Sequence, residues 1–461
     1  MSRKAILILV FLMLLVCLQY PRFQHYSVRA SDGYPVHNLD TGLNYIHIQE
    51  AINANETLSY QRILVDAGVY DERIIINKSI SLIGEDKENT ILNWTVPSWD
   101  IAVLNITAND VKLAQFSILG WAGTKVTVFS CSNVTIKDNV IWSTGMCISL
   151  NNSNNCTITG NRIVGMGLEG NNLIVLSGCS GCIIENNSVL TACYEGIGLY
   201  SSSNNQIRNN QIDGDGHAVY LQSAHGNVIS SNTVSDCWNG IEFEGGTGNT
   251  IFGNNFERNW NQVYGSFAGN SFNESSEGNY YSDYKGKDVN QDGIGDTPYV
   301  SEYFPNSFAN VDYYPLVGRF HNFAVSTLAG GLQTLTVISN STVSTLSLDY
   351  SVPTSNDIQS DQPFIRFLVT GEDGTVGFSR VMIPRVVMNS SSYIVFVGNR
   401  QVNVMELPNS NNFYACLYFT YVHSTHQILV FIPEFTSLLV LPLFTIVTLL
   451  AAIFYKKKYV G

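Results

Sequence analysis

The sequence predicts an all-β protein whose main part is a parallel β-helix, a solenoid of short strands. A short phrase, NVTIKDNVI at its first occurrence, returns six times at steps of 22 to 26 residues. The repeated isoleucine stands at Ile136, Ile158, Ile184, Ile207, Ile229 and Ile251. The repeated asparagine stands at Asn139, Asn161, Asn187, Asn210, Asn232 and Asn254. A period of this length is typical of stacked units that each contact only their neighbours.

A second element follows the same period. One aliphatic column contains Ile148, Ile174, Ile197, Val219, Ile241 and Val263, and another lies two residues later in each unit. Alternating apolar and polar residues indicate strands, and the Gly, Asn, Ser and Asp between them indicate turns. The strands of one turn should pair in parallel with those of the next, about 4.8 Å away. The asparagines should lie at bends and bond along the stack. A β-sandwich with chance periodicity is disfavoured because two separate columns keep one period.

The solenoid is predicted to begin well before the repeats. Ile48, Ala51 and Ile52 recur at helical spacing, so a short amphipathic helix can cover the open end of the stack, whose strand edges would otherwise be exposed. The alternating residues Ile63 to Leu82 fit the first coils, and Leu113 with Ile118 fits a further turn. The segment from Ile46 to Asp86 resembles the beginning of pectin-lyase-like β-helices.

Composition limits the classes of partner. The chain has 461 residues, a formal net charge of −13 and only 13% charged residues. This composition fits a turn-rich β protein, and the acidic balance argues against nucleic acid as a partner.

Both ends of the chain predict export and anchoring. Arg3 and Lys4 precede an apolar run, so residues 1–30 are predicted to be a signal peptide or signal anchor. Residues 436–455 are apolar enough to form a transmembrane helix, and residues 456–461 a basic cytoplasmic tail, which leaves the body of the protein at the cell surface. Asn-x-Ser/Thr sequons, among them Asn133, Asn155 and Asn186, agree with an outside location, and some glycans are expected on the bends.

The cysteines leave three alternatives open. Cys156 and Cys182 occupy the inward column of Val134 and should stack on adjacent turns. The three alternatives are two free thiols packed as small hydrophobic side chains, a disulfide between the two, and a Cu(I) ion bound by the two thiolates.

An Asp-rich loop follows the last repeat, in the phrase GNYYSDYKGKDVNQDGIGDTPYV. Its oxygen ligands would be Asp288, Asn290, Asp292, the backbone carbonyl of Ile294, and Asp296, at the alternate spacing of a calcium loop. Position 12 of such a loop is Tyr299 rather than a bidentate glutamate. The alternative to a calcium site is a loop of Asx turns that caps the stack.

Three features together, namely this phrase, the repeat and the first coils of the solenoid, resemble the NosD-type right-handed β-helix family in its archaeal surface form. The resemblance covers residues 36–316. That family is often described as copper-binding. This chain has no Met/His/Cys cluster to carry such a role, so copper is not supported by the sequence. His423 and His426 form an HxxH phrase, which we interpret as a pair of surface residues on a strand.

A second domain is predicted over residues 318–432. Seven short alternating runs, from LQTLTVIS to HQILVFI, indicate an Ig-like β-sandwich without a Cys-Trp-Cys pattern. It resembles the membrane-proximal domain of archaeal surface proteins, and a stalk is its simplest role.

Aligning the repeats yields one outward strip suited to a sugar, because aromatic faces stack on pyranose rings and carboxylates bind hydroxyls or transfer protons. The predicted ligand-binding residues are Tyr194, Glu195, Asp215, His217, Trp238, Arg258 and Trp260. If the protein is an enzyme, the predicted catalytic residues are Asp213, Asp215 and His217. Repetition alone also produces such columns, and the signatures of polygalacturonases and pectate lyases are absent from the sequence.

The sequence therefore favours an exported, membrane-anchored surface β-helix that binds a polysaccharide, glycoprotein or envelope partner. A polysaccharide-active enzyme (lyase, hydrolase or epimerase) and a copper-handling accessory protein are the alternatives. Calcium is the one cofactor expected.

Overall fold

The structure is a computed structural model that describes residues 33–98, 101–166, 172–191, 194–214, 216–265, 269–301, 311–328, 330–350 and 363–432. The chain divides into two compact units, residues 1–202 and 203–461. Strands dominate both units. The predicted signal segment, residues 1–30, and the predicted membrane span and tail, residues 436–461, lie outside the described residues.

The first unit is a solenoid in which each turn gives one strand to each of three sheets, here named A, B and C in chain order. Sheet A contains Asn44–Tyr45, Val36–Asn38, Arg62–Val65, Ser81–Gly84, Lys112–Ala114, Thr135–Lys137, Thr157–Thr159 and Ile183–Glu185. Sheet B contains Gly68–Tyr70, Thr90–Ser98, Ser117–Ala122, Val140–Ser143, Arg162–Gly165 and Ser188–Thr191. Sheet C contains Ile74–Ile76, Leu104–Ile106, Thr124–Phe129, Met146–Asn151, Asn172–Ser177 and Glu195–Tyr200. Successive turns pair in parallel, as the repeat predicts.

The predicted aliphatic columns form the core of this unit. Ile136 is in register with Leu113 on one side and Ile158 on the other, and Ile158 is in register with Ile184. All four side chains are buried. The predicted period and its inward face are therefore confirmed here, including the early turn at Leu113.

A helix closes the first end of the stack. Helix α1 (Ile48–Asn53) buries Ile48, Ala51 and Ile52, the three residues that predict it. Its first backbone amides donate to the Glu72 carboxylate at 3.1 Å, which satisfies donors that a helix start leaves unpaired. Strand Val36–Asn38 pairs antiparallel with strand Arg62–Val65 beside it.

The second unit begins with three further turns of the same design. Its sheet A contains Gln206–Arg208, Val228–Ser230 and Thr250–Phe252. Its sheet B contains Gln211–Gly214, Thr233–Ser235, Asn255–Glu257 and Tyr280–Tyr281, and its sheet C contains His217–Gln222, Asn239–Glu244 and Asn261–Tyr264. Ile207, Ile229 and Ile251 are in register and buried. A small antiparallel pair, Tyr299–Val300 with Val311–Asp312, follows the last turn.

Buried asparagines bond along the stack in both units. In the first unit, Asn139 donates to Asn161 and Asn161 to Asn187, each through its backbone amide at 3.0 Å. In the second unit, the ladder runs through Asn210, Asn232, Asn254 and Asn279. The sequence predicts these ladders but misses a parallel one through Asn205, Asn227, Asn249 and Asn270. Because each amide also satisfies a backbone carbonyl of an earlier turn, the polar bends can be buried.

The sequons behave differently from the ladder asparagines. Asn133, Asn155 and Asn186 are exposed and have φ of +54° to +61°, the left-handed region that turn asparagines tolerate. They therefore lie on the solvent side of the bends.

The cysteine column is confirmed as an inward column. Cys156 and Cys182 are buried on adjacent turns, where the amide of Ile183 donates to the Cys156 carbonyl at 2.8 Å, and no disulfide joins the two thiols. A thiol–thiol hydrogen bond is the main cause of the lowered pKa of Cys156 and of the pKa of Cys182, raised to about 11. Cys179 hydrogen-bonds with the same Cys182 thiol.

The remainder of the second unit contains two antiparallel five-stranded sheets, which form a β-sandwich. One contains Arg319–Ser326, Leu332–Ser339, Val376–Pro384, Tyr414–Val422 and Val404–Glu406, and the other Thr342–Asp349, Phe364–Thr370, Thr425–Phe431, Ile394–Val397 and Arg400–Val402. Seven strands were expected. The sequence misses the strands at 319–326 and 376–384, and the run QVNVMEL forms two short strands rather than one.

The sandwich packs on the end of the solenoid through an apolar cluster. Leu316 shares this cluster with Phe378 and Tyr418 of the sandwich, and Ile294 of the Asp-rich loop packs against it. The buried guanidinium of Arg380 forms a 2.6 Å ion pair with Glu277. Apolar burial and one charge pair therefore join the two parts of this unit.

One histidine is not where the sequence places it. His423 was interpreted as a surface residue, but it is only 6% exposed and follows the strand Tyr414–Val422. Its ring nitrogens contact the hydroxyls of Ser341, at 2.8 Å, and Thr375, at 2.6 Å. The prediction was wrong because serine and threonine hydroxyls from the connections between neighbouring strands satisfy the buried ring, and no local pattern reveals them.

In the part of the chain that the structure describes, no helix is long and apolar enough to cross a bilayer.

Candidate functional site

Two tryptophans stand out on the surface of the second unit. Trp238 is 62% exposed and Trp260 81% exposed, each directly before a strand of sheet C. Their ring centroids lie 6.4 Å apart with a 39° tilt. The backbone amide of Asn261 donates to the Trp238 carbonyl at 2.9 Å, so the two rings are held one turn apart at the corner between sheets B and C. Adjacent exposed indoles form an apolar surface that folding alone does not require.

A polar network lies next to the tryptophans. The Nδ1 atom of His217 is 2.7 Å from Oε2 of Glu242, and Nδ2 of Asn239 donates to the same oxygen at 2.7 Å. Asn261 in turn donates to Oδ1 of Asn239 at 2.8 Å. His217, Asn239 and Asn261 are in register on three successive strands, as the alignment of the repeats predicts. The alignment also places all three outward, which is wrong for Asn239, because its contacts with Glu242 and Asn261 leave it only 2% exposed. Glu242 lies on the same strand as Asn239 and was not predicted.

The network keeps the Glu242 carboxylate ionised. Burial by itself raises the pKa of Glu242, but the hydrogen bonds from His217 and Asn239 and the His217 charge outweigh it, so that the pKa lies below its ordinary value. A carboxylate and an imidazole in direct contact can bind sugar hydroxyls or transfer a proton.

A second carboxylate projects from the same strand. Glu244 follows Glu242 by two residues, so both side chains point to one face of sheet C. The Tyr220 hydroxyl donates to Glu244, and Gln222 donates to it at 2.9 Å. Sheet C thus presents two acidic side chains on its outer face.

Arg258 lies at the other side of the tryptophans and is paired. It forms a two-pronged contact with Asp236, at 2.8 Å and 2.5 Å, and approaches Glu257 at 3.3 Å. Contact with this guanidinium lowers the pKa of Asp236. Glu257 is also bound by Arg319 at 2.7 Å.

Two members of the predicted catalytic trio lie on different sheets. Asp213 lies on sheet B, where the Ser235 hydroxyl donates to it at 3.4 Å, whereas His217 lies on sheet C beside Glu242. Asp215 lies outside the described residues. The acidic partner of His217 is therefore Glu242, which belongs to the next turn of the chain.

Two predicted ligand-binding residues belong to the first unit. Tyr194 is 51% exposed, as a sugar contact requires. Glu195 was expected to face solvent, but it is 1% exposed, and its carboxylate accepts a 2.6 Å hydrogen bond from Tyr200. That prediction was wrong because the tyrosine ring covers the carboxylate.

The Asp-rich loop is held by its own hydrogen bonds. Asp288 accepts from the amides of Asp292, at 3.0 Å, and Gly293, at 2.9 Å, and Asp296 accepts from Val289 at 2.6 Å. Gly293 has φ = +83°, a left-handed conformation that glycine adopts without strain. The Ile294 amide also donates to the Asp292 carboxylate at 2.8 Å, which is the bond of an Asx turn. Calcium at this loop stays a prediction.

Residues 54–286 match the sequence profile of a family described as "Periplasmic copper-binding protein (NosD)", a span of just over half the chain. The chain belongs to the NosD family. It is also 30% identical, over 177 residues, to the "Cell surface glycoprotein" of Methanothermus fervidus. That match covers 38% of this chain and 26% of the relative, so the chain spans about a quarter of the relative's length.

Solved structures similar to this NosD-family chain include an alginate lyase from Paenibacillus and a pectin methylesterase in complex with a hexasaccharide. The alginate lyase is 14% identical, with a TM-score of 0.34, over 48% of this chain and 95% of the lyase. The methylesterase is 13% identical, with a TM-score of 0.31, over 45% of this chain and 78% of the esterase.

The family's description names copper, for which proteins use cysteine, methionine or histidine ligands. Among the residues that the structure describes, no three His, Cys, Asp or Glu side chains converge in a way that could hold a metal ion. A copper site with three such ligands is therefore not found among these residues, and the Cu(I)-thiolate pair at Cys156 and Cys182 stays an alternative.

Proposed function

We propose that this NosD-family protein is displayed at the outer surface of the cell, anchored by residues 436–455, and binds glycans there. The similarity to a protein named "Cell surface glycoprotein" supports the location. The apolar segment followed by three lysines supports the anchor.

The pair of exposed indoles, Trp238 and Trp260, carries the proposal for glycan binding. Rings one solenoid turn apart can each stack on a pyranose ring of an extended chain. Beside them, the partly exposed Asn261 and His217 offer an amide and an imidazole to sugar hydroxyls, and the buried Asn239 holds both in place. Because the parallel sheets already hold these groups in register, little conformational entropy is lost when a glycan binds.

A glycan array tests this function. Trp238→Ala and Trp260→Ala should each weaken binding of the best ligand by about tenfold or more, since both rings are exposed contacts rather than core residues. Phe413→Ala is the matched control, because Phe413 is an aromatic residue of the sandwich with 75% exposure. Undiminished binding by the double tryptophan variant would overturn the proposed site.

The anchor has a separate test. Ending the chain before Thr436 should release the protein from membranes into the medium, whereas deleting only residues 456–461 should leave it in the membrane fraction. Retention of the shorter protein in the membrane fraction would contradict the proposed anchor.

The Glu242–His217 contact favours one second function, a polysaccharide-active enzyme. A carboxylate 2.7 Å from an imidazole is an arrangement for acid and base chemistry. Release of reducing or unsaturated sugar ends, abolished in Glu242→Gln, would establish it. If the protein binds these polysaccharides without cleaving them, glycan binding is the only function that remains.

A further inference from the structure

We infer that the surface around Trp238 and Trp260 selects uncharged glycans and rejects polymers of uronic acids. This inference rests on the proposed glycan-binding function. It names the class of sugar that this surface accepts.

The charge of this part of the chain points to that class. Residues 203–264 contain six acidic and only two basic side chains, Arg208 and Arg258. Arg208 lies on sheet A, away from the corner that carries the tryptophans. A surface with this balance has a negative potential, which repels anionic ligands.

The basic groups near the tryptophans are already committed to protein carboxylates. Arg258 is held by Asp236 through two contacts, and the positively charged Arg319 is held by Glu257 at 2.7 Å. A uronate carboxylate that used Arg258 would have to displace Asp236 and leave that aspartate without its partner.

The acidic groups, in contrast, lie on the outer face of sheet C, four and six residues after Trp238. Glu242 and Glu244 point outward from one strand that begins directly after Trp238. The pKa of Glu242 is held low by His217 and Asn239 despite the raising effect of burial, so it stays ionised at neutral pH. Both carboxylates can accept hydrogen bonds from the hydroxyls of a neutral sugar. The carboxylate of a uronic acid has no proton to donate at neutral pH and repels them by its like charge.

A matched pair of oligosaccharides tests the inference on the full-length protein in detergent micelles. The probes are a glucose oligosaccharide and the same oligosaccharide with its C6 hydroxyls oxidised to carboxylates. The neutral probe should bind about tenfold or more tightly than the oxidised one at low salt, and the difference should shrink as salt screens the repulsion. Glu244→Gln should reduce the ratio of the two affinities, whereas Glu372→Gln, an exposed carboxylate of the sandwich, should not.

The outcomes separate this inference from the function on which it rests. Equal or tighter binding of the oxidised probe would overturn the selectivity and leave glycan binding intact. Binding of neither probe, together with an empty glycan array, would overturn both. A ratio that salt and Glu244→Gln leave unchanged would show that charge does not set the preference, and would also overturn the inference.

Discussion

Asp312 accepts a 2.7 Å hydrogen bond from the backbone amide of Asn279, the last asparagine of its ladder. In each preceding turn the acceptor at this place is the side-chain oxygen of the next asparagine, as Asn279 is for Asn254 at 3.1 Å. A carboxylate from the small antiparallel pair therefore ends the ladder. Burial raises the pKa of Asp312 to about 6.

This carboxylate predicts a pH dependence of stability. Because the pKa is raised in the folded state, from an ordinary value of 3.8 to about 6, protonation favours folding. The contribution is fully present below pH 3.8 and is lost as the pH rises through 6, by about 3 kcal/mol in total. Asp312→Asn keeps an acceptor oxygen and removes the titration. Urea unfolding at pH 4.5 and 7.5 should show a smaller difference in the variant, and an identical difference in both proteins would contradict the assignment.

The ladder itself should be expensive to interrupt. Asn232 is fully buried, accepts from the amide of Asn210 at 2.9 Å and donates to Asn254 at 2.9 Å. Asn232→Ala should lower the free energy of unfolding by about 3 kcal/mol, because it leaves buried donors and acceptors unpaired. Denaturant titration measures the change, with Asn412→Ala at an exposed turn as the control. Equal effects of the two substitutions would refute a structural role for the ladder.

The ion pair between Glu277 and Arg380 should stabilise the contact between the sandwich and the solenoid. Arg380 is 3% exposed, and its Nη1 has no hydrogen-bond partner among the described residues, so loss of Glu277 would leave a buried, uncompensated charge. Glu277→Gln should cost about 3 kcal/mol of stability. Asp349→Asn, which breaks the more exposed Arg366–Asp349 pair, should cost less than about 1 kcal/mol. Thermal and denaturant unfolding compare the two variants, and a cost for Glu277→Gln no larger than that of Asp349→Asn would count against the pair.

Calcium at the Asp-rich loop can be tested by melting. If the loop binds calcium through Asp288, Asn290, Asp292, the Ile294 carbonyl and Asp296, added Ca²⁺ should raise the Tm of the wild-type protein above that measured with chelator. Asp292→Ala should abolish this difference, whatever its own effect on the Tm. The same Tm with Ca²⁺ and with chelator would mean that the Asx-turn bonds alone stabilise the loop.

Much of the candidate site could be predicted, and the misses have physical causes. A fixed period places His217, Asn239 and Asn261 in one column and Trp238 and Trp260 in the next, because in-register parallel strands repeat every side-chain direction. Glu242 was missed because, within its strand, it has the pattern of an ordinary solvated residue. Its partner His217 is a full turn earlier in the chain, and only the register of strands Asn239–Glu244 and His217–Gln222 brings the two together.

The sequence alone determined the solenoid, its helical cap and the ladder of the repeated asparagine, since each depends on a local pattern of residues. Tertiary structure decided which polar groups are available. It buried Glu195 under Tyr200 and enclosed His423 among hydroxyls. It also ended the ladder of Asn279 with Asp312, 33 residues further along the chain. These outcomes depend on contacts between segments whose sequences carry no sign of each other, so the packing of the folded chain had to supply them.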